Sequence, residues 1–242
     1  MRRSLLAAAV SAVLLSGCGE LPDLPPLPDP VAIGETAAVQ TPTPGTTTLS
    51  PDGFRTTERV AVRVRNVGCG GVSTGSGFAV SEDVLVTNRH VVTGAETMQV
   101  STYDGQDLLV ETAGSAIVAD LAIVRTRSTL PAAVTLAEAD PEAGEPIEVV
   151  GYPGGGRLTS STGTVLGYDA DPLNANAGQI IVTDARAEPG SSGSPMYDES
   201  GRVVGVVYAA TEDGTRSLAV PVSTLRTLLD QTSFDDGVPP CE

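Results

Sequence analysis

The stretch IIVTDARAEPGSSGSP, residues 180–195, joins an apolar, strand-like run to a turn rich in glycine and serine. Gly190 and Gly193 stand on either side of two serines, and glycine adopts the backbone conformations that tight turns need. Such a turn exposes a serine hydroxyl and lets backbone N–H groups converge on one point, as a nucleophile in acyl transfer requires. Taken alone, the same string is equally compatible with an ordinary surface turn.

Short apolar runs extend along the chain on both sides of this stretch. The first places Val60, Val62 and Val64 at alternate positions, which is typical of a half-buried strand. Further runs recur roughly every ten to fifteen residues, with Gly, Asp and Pro between them. Helical crossovers long enough for a parallel sheet are missing, so the pattern predicts an antiparallel sandwich or barrel. One helix is expected, from about Ser223 as its N-cap after Pro221.

Two further segments carry side chains suited to proton transfer. VTNRHVV, residues 86–92, contains His90, the only histidine of the chain. A lone histidine is more often structural than catalytic, but its context here points the other way. ADLAIV, residues 119–124, sets Asp120 in an apolar strand, where an unpaired carboxylate is costly. An imidazole N–H is a suitable donor to that carboxylate.

In the order His90, Asp120, Ser192, and together with TGSGF at 74–78, these segments resemble the trypsin-like serine proteases. They are closest to the bacterial HtrA-type branch without PDZ domains. The resemblance covers roughly residues 58 to 230, and four ordered motifs are far more specific than any one of them. It implies a chymotrypsin fold, which is all-β with two six-stranded antiparallel barrels and a short C-terminal helix.

The resemblance also implies a role for each matching residue. Ser192 is expected as the nucleophile, His90 as general base and then acid, and Asp120 as the group that orients the imidazole. The backbone N–H groups of Gly190 and Ser192 are expected to form the oxyanion hole. The expected reaction is hydrolysis of a peptide bond in a protein or peptide substrate through an acyl-enzyme. It needs neither a metal nor an organic cofactor.

Two residues of the serine turn depart from the family pattern. Ser191 replaces an aspartate that pairs with the newly cut N-terminus in pancreatic-type enzymes, so activation of that kind is not expected. Ser194 replaces the second glycine of the usual pair, and its Cβ would alter the turn if the backbone there needs a positive φ. The alternative function is a catalytically inactive, protease-fold lipoprotein that binds peptides or an envelope partner, since the residues alone do not show that the site is assembled.

Other functions have less support. GVSTG at 71–75 matches the G-x-S-x-G elbow of α/β-hydrolases, but that fold needs Ser, acid and His in that order. The formal charge is −16 and no basic stripe is present, so nucleic acid is not an expected partner. Asp169 and Asp171 are close in sequence, but two acids without further oxygen ligands make a weak calcium site. We expect a monomer.

The N-terminus is typical of an export signal. MRR precedes the apolar run LLAAAVSAVLL, which is too short to span a bilayer, and a small-residue cleavage site follows. LSGC at 15–18 resembles the lipobox of bacterial lipoproteins, in which the cysteine is acylated and becomes the first residue. The lipid would hold the protein on the outer face of a bacterial cell membrane. An ordinary secretory signal with an incidental Cys18 is the alternative.

The predicted organisation has three parts. Residues 1–17 are the lipoprotein signal peptide, 18–57 a lipid-anchored linker rich in Pro and Thr, and 58–242 the protease domain. If Cys18 is lipidated, Cys69 and Cys241 remain as an even pair in an exported protein, where oxidation is the default. We expect a disulfide between them, and two free thiols are the alternative.

Overall fold

Alternating apolar residues form strands along the whole of the folded region. The structure is a computed structural model that describes residues 52–68, 70–115, 119–173, 175–176, 178–211, 213–230 and 235–236. Its strands, numbered along the chain, are β1 (Ala61–Gly68), β2 (Gly71–Ala79), β3 (Val84–Thr87), β4 (Ala95–Thr102), β5 (Asp107–Leu108), β6 (Val110–Ser115), β7 (Ala122–Thr126), β8 (Pro146–Gly151), β9 (Thr159–Ala170), β10 (Gln179–Thr183), β11 (Pro195–Tyr197), β12 (Val203–Ala210), β13 (Ser217–Pro221) and β14 (Asp235–Asp236).

The strands form two antiparallel groups. Within the described residues, the first is an eight-stranded sheet in the order β14-β6-β7-β3-β2-β1-β4-β5. Strands β4 and β6 also contact each other, so this sheet curls toward closure. The second is a closed barrel in the order β10-β13-β12-β11-β8-β9. The predicted all-β architecture of two barrels is confirmed. The first barrel departs from the expected six strands, because the two-residue strands β5 and β14 extend its edges.

Short helices flank the strands: α1 (Thr56–Arg59), α2 (Arg89–Val92) and α3 (Val222–Leu229). The predicted helix is α3, but the predicted N-cap is wrong, because Pro221 occupies that position. Asp140 accepts hydrogen bonds from the N–H of Ser223 at 2.9 Å and from its hydroxyl at 2.6 Å. A carboxylate distant in sequence thus satisfies the helix terminus. No helix in the described residues is long and apolar enough to cross a membrane.

Buried apolar side chains fill both groups of strands. Phe78 and Leu121 are fully buried in a cluster that continues from the first sheet into the second barrel. Ile181 and Met196 are fully buried in a second cluster inside the closed barrel. Burying each such side chain contributes about 1.5 to 3 kcal/mol. These cores support the connections after β3, before β7 and between β10 and β11, where the candidate site residues lie.

The predictions for the N-terminus and the cysteines concern other parts of the chain. Residues 1–51 lie outside the described residues, and so do Cys69 and Cys241. The signal peptide, the lipidation of Cys18, the linker and the disulfide therefore stay predictions.

Candidate active site

His90 and Asp120 meet between the end of β3 and the start of β7. Nδ1 of His90, in α2, is 2.5 Å from Oδ2 of Asp120. The other carboxylate oxygen accepts the backbone N–H of His90 at 3.0 Å. Only 3% of Asp120 is exposed, so its charge acts through a low dielectric. An ionised carboxylate only accepts hydrogen bonds, so this contact suits a ring with the hydrogen on Nδ1, which leaves Nε2 as the nitrogen that can take a proton.

Asparagine side chains hold the main chain of Asp120 on both sides. Nδ2 of Asn88 donates to the carbonyl oxygen of Asp120 at 2.7 Å. The N–H of Asp120 donates to Oδ1 of Asn176 at 2.9 Å. The sequence predicted neither contact. Asn88 belongs to VTNRHVV, but its contact depends on Asp120 being close in the fold. Asn176 lies in a loop of the other barrel, so its contact depends on the packing of the two barrels.

Asn66 anchors the helix that carries His90. It follows Val62 and Val64 at the next inward position of β1, and only 4% of it is exposed. Its Nδ2 donates to the carbonyl oxygens of Val91 and Thr93, each at 3.0 Å. Carbonyls at the end of a helix need such partners. The signal that could have revealed Asn66 is a polar residue on the buried face of an alternating strand.

Ser192 lies between β10 and β11, in a turn that two glycines shape. Gly190 and Gly193 have φ of 94° and 88°, which other residues rarely adopt. A Cβ on Gly193 would also collide with the carbonyl oxygen of Ser76. The tight turn inferred from the sequence is therefore present, and it depends on glycine at both positions.

The hydroxyl of Ser192 donates to the carbonyl oxygen of Tyr208 at 3.3 Å. Among the described residues it makes no hydrogen bond to the ring of His90. Tyr208, the partner of Ser192, also lines a cleft of about 500 Å³ together with His90 and Asp120. In the structure, His90 is thus hydrogen-bonded to Asp120. Ser192 is instead hydrogen-bonded to the carbonyl oxygen of Tyr208, which lines the same cleft as His90 and Asp120.

The backbone N–H groups of the serine turn divide into paired and unpaired donors. Those of Ser191, Gly193 and Ser194 donate to carbonyl oxygens at 2.8 to 3.0 Å. Those of Gly190 and Ser192 have no acceptor among the described residues. Two unpaired N–H groups in one tight turn are suited to an oxygen that gains negative charge. They are the two donors expected for the oxyanion hole.

Ser76, fully buried in β2, fixes the carbonyl group of Gly190. Its hydroxyl donates to that oxygen at 2.8 Å and accepts the N–H of Tyr152 at 2.9 Å. The N–H of Gly154 donates to the carbonyl oxygen of Pro189 at 2.6 Å. The start of the turn is thereby tied to β2 and to the loop after β8. Ser76 belongs to TGSGF, a motif whose contact with the turn the sequence did not indicate.

The two serines that depart from the family pattern have different surroundings. The hydroxyl of Ser191 accepts the backbone N–H of Glu188 at 3.2 Å. Ser194 is fully buried, and its hydroxyl has no partner among the described residues. A Cβ on Gly151 would collide with that hydroxyl. The missing side chain at Gly151 therefore provides the space that Ser194 occupies.

This fold and site are similar to those of known proteins. The family described as trypsin-like peptidase domain matches residues 75–206. The chain belongs to this family. A crystal structure of the active form of the Rv3671c protease from Mycobacterium tuberculosis resembles it with a TM-score of 0.68 and 25% sequence identity. That likeness covers 76% of this chain and 86% of the other.

Relatives of this trypsin-like peptidase include named bacterial serine proteases. The probable periplasmic, DegP-like serine endoprotease of Hahella chejuensis is 32% identical over 165 residues, which are 66% of this chain and 35% of that protein. The serine protease Rv3671c of Mycobacterium tuberculosis is 31% identical over 170 residues, which are 65% of this chain and 42% of that protein. The match thus spans less than half the length of either relative.

Beside Ser192 the second barrel has a pocket of about 410 Å³. Its walls include Arg186, Glu188, Ala209 and Ala210. The side chains of Leu218, Ala219 and Val220 in β13 are buried and do not line this pocket. Arg186 and Glu188 form an exposed ion pair at 2.9 Å. The pocket therefore combines a paired set of charges with small apolar side chains.

Asp169 and Asp171, the two acids close in sequence, form hydrogen bonds with protein donors. The carboxylate of Asp169 accepts the N–H of Ala170 at 2.7 Å and is exposed. The carboxylate of Asp171 is buried among donors of the protein itself. Within the described ranges, no group of three or more His, Cys, Asp or Glu side chains is arranged to hold a metal ion.

Proposed function

We propose that the chain is a serine endopeptidase of the bacterial cell envelope that hydrolyses peptide bonds through an acyl-enzyme. The observation that carries this proposal is the hydrogen-bonded pair of His90 and Asp120 near a serine turn in which two N–H groups have no acceptor among the described residues. In this proposal Ser192 is the nucleophile, and the N–H groups of Gly190 and Ser192 form the oxyanion hole. Relatives named as serine proteases support the same activity.

The first step requires the Ser192 side chain to rotate from the Tyr208 carbonyl toward Nε2 of His90. The bond it leaves, at 3.3 Å, is long for a hydroxyl donor, so little is lost. Nε2 takes the hydroxyl proton as Oγ forms a bond to the substrate carbonyl carbon. The resulting imidazolium donates from Nδ1 to Asp120, whose buried carboxylate stabilises the new charge.

The remaining steps return the site to its starting state. The negative oxygen of the tetrahedral intermediate accepts the N–H groups of Gly190 and Ser192. The C–N bond of the substrate then breaks, and Nε2 gives its proton to the leaving amine. Water next loses a proton to Nε2 and attacks the acyl carbon. The ester bond breaks, the acid product leaves, and the proton returns to Oγ.

The proposed location is the outer face of a bacterial membrane, with a lipid on Cys18 as the anchor. The lipobox-like sequence supports the lipid, and relatives named as periplasmic support export. The linker at 18–57 would separate the domain from the membrane. A disulfide between Cys69 and Cys241 would tie the C-terminal tail to the segment that follows β1.

A second candidate function is the binding of peptides or an envelope partner without cleavage. The position of the Ser192 hydroxyl favours this binding function, since the hydroxyl is hydrogen-bonded to the carbonyl oxygen of Tyr208 and not to His90. In such a protein the rotation of Ser192 would not occur, and the pocket beside it would serve only to hold a ligand.

Hydrolysis of a mixed peptide library by the full chain, beside its Ser192→Ala variant, separates the two candidates. An endopeptidase cleaves the library, loses this activity in the variant, and reveals its preferred residue in the products. A folded wild type that cleaves nothing but retains peptides as well as the variant does would favour the binding function.

A further inference from the structure

Asp171, which begins the loop between β9 and β10, is a buried carboxylate that the mechanism above does not use. Only 8% of the residue is exposed. Its Oδ1 accepts the N–H of Leu173 at 2.9 Å and the hydroxyl of Tyr208 at 2.6 Å. Its Oδ2 accepts the N–H of Ala175 at 2.7 Å, and the N–H and Nδ2 of Asn176 at 2.8 and 3.0 Å. These described residues of the loop are therefore arranged around this carboxylate.

The charge of Asp171 strengthens these contacts. Burial raises the pKa of its carboxyl group, but the hydrogen bonds from Tyr208, Leu173 and Asn176 outweigh burial and hold the pKa below its usual value. The carboxyl is therefore ionised at neutral pH. Burial and the neighbouring Asp171 raise the pKa of Tyr208, so its phenol keeps the proton that it donates. Hydrogen bonds to a charged group are roughly twice as strong as neutral ones.

Two partners of Asp171 reach the groups of the proposed site. Asn176 donates to Asp171 through Nδ2 and accepts the N–H of Asp120 through Oδ1. Tyr208 donates its hydroxyl to Asp171, and its carbonyl oxygen accepts the hydroxyl of Ser192. A single carboxylate in the second barrel is thus connected to Asp120 of the first barrel and to the nucleophile's turn.

We propose that Asp171 is a positioning residue of the active site. It holds Asn176 so that Asp120 keeps its place against His90. It also holds Tyr208, whose carbonyl lies at the nucleophile. The inference rests on the proposed peptidase function, although the link from Asp171 to Asp120 is a property of the fold alone and is tested as such.

The first test is the nuclear magnetic resonance signal of the His90 Nδ1–H proton, which reports on the carboxylate of Asp120. His90 is the only histidine, so the full-length chain gives a single set of ring signals. Wild type is compared with Asn176→Ala and Asp171→Asn. The matched control is Asp169→Asn, which removes the same charge from an exposed site whose described hydrogen bond is to the next residue.

We expect the wild-type signal to persist in the control and to shift or vanish in Asn176→Ala and Asp171→Asn. An unchanged signal in the folded variants would overturn the inference. Should Asp171→Asn not fold, Asn176→Ala decides, because it removes the bridge to Asp120 and leaves the other donors of Asp171. No substrate is involved, so this result holds whether or not the chain proves to be a peptidase.

The second test measures kcat and KM for peptide hydrolysis. Asn176→Ala should lower kcat about ten- to hundredfold and change KM less than about twofold, because small misplacements of reacting groups slow the chemical step. Tyr208→Phe should also lower kcat. Asp171→Asn breaks both connections, so adding Asn176→Ala or Tyr208→Phe to Asp171→Asn should slow the reaction little further. Fully additive losses would contradict a shared dependence on Asp171.

Discussion

Removing the hydroxyl of Ser76 should destabilise the domain. Ser76→Ala leaves two buried groups without a partner, namely the N–H of Tyr152 and the carbonyl of Gly190, which lie 2.9 and 2.8 Å from that hydroxyl. An unpaired buried polar group costs about 1 to 3 kcal/mol, so the free energy of unfolding should fall by about 2 to 6 kcal/mol. With a urea m-value of about 2 kcal/mol per molar, the midpoint should fall by about 1 M or more.

The same change should slow catalysis. The carbonyl that Ser76 holds belongs to the peptide between the two oxyanion donors, the N–H groups of Gly190 and Ser192. Once released, this peptide can turn and the donors no longer converge. Loss of one whole donor costs about 100- to 1,000-fold in kcat, so a displaced pair should cost about ten- to hundredfold.

Urea unfolding and peptide hydrolysis measure these two effects separately. Ser73→Ala is the matched control, because it removes an exposed hydroxyl from the same strand β2. If Ser76→Ala has the unfolding midpoint and the kcat of Ser73→Ala, then Ser76 does not hold the turn and the reasoning is refuted.

Three further predictions concern the surroundings of the site. Asn66→Ala should lower the free energy of unfolding by about 2 kcal/mol or more, because it leaves carbonyls at the end of α2 unpaired, and urea unfolding measures the loss. Gly151→Ala should cost about 1 to 3 kcal/mol by the same assay, and adding Ser194→Gly should restore part of it, because the new Cβ would still press on the hydroxyl of Ser76. A double variant no more stable than Gly151→Ala would contradict the pairing of these positions. Burial raises the pKa of Tyr152 and Tyr168 to about 12. Since the unfolded value is about 10, stability is full below pH 10 and falls as the pH rises toward 12. Tyrosinate absorbance checks this, and ionisation of every tyrosine near pH 10 in the folded protein would contradict it.

Strand β1 shows what the sequence could predict about the fold. Val62 and Val64 are buried and alternate with Arg65, and this pattern depends only on neighbouring residues. Strands β5 and β14 could not be predicted in this way. They are two-residue segments without alternation, and they are strands only because an existing edge of the sheet offers unpaired backbone groups. The predicted N-cap of α3 was wrong because it also depends on a long-range contact: Asp140, which accepts the N–H of Ser223, is distant in sequence from the helix.

The residues proposed to react were easier to find than those that hold them. His90, Asp120 and Ser192 each stand in a short motif of recognisable type, and the structure joins the first two directly. Asn176 contacts Asp120 and Tyr208 contacts Ser192, but these partners are distant in sequence. No local pattern marks either residue. Their roles depend on long-range contacts, which periodicity and turn chemistry do not contain.

The most direct test of the peptidase proposal is covalent labelling of the full chain by a fluorophosphonate, followed by mass spectrometry. We expect one adduct on Ser192, no adduct in Ser192→Ala, and much slower labelling in His90→Ala, because the imidazole must take the hydroxyl proton. A folded wild-type protein that stays unlabelled at Ser192, or that labels equally fast without His90, would contradict the proposal.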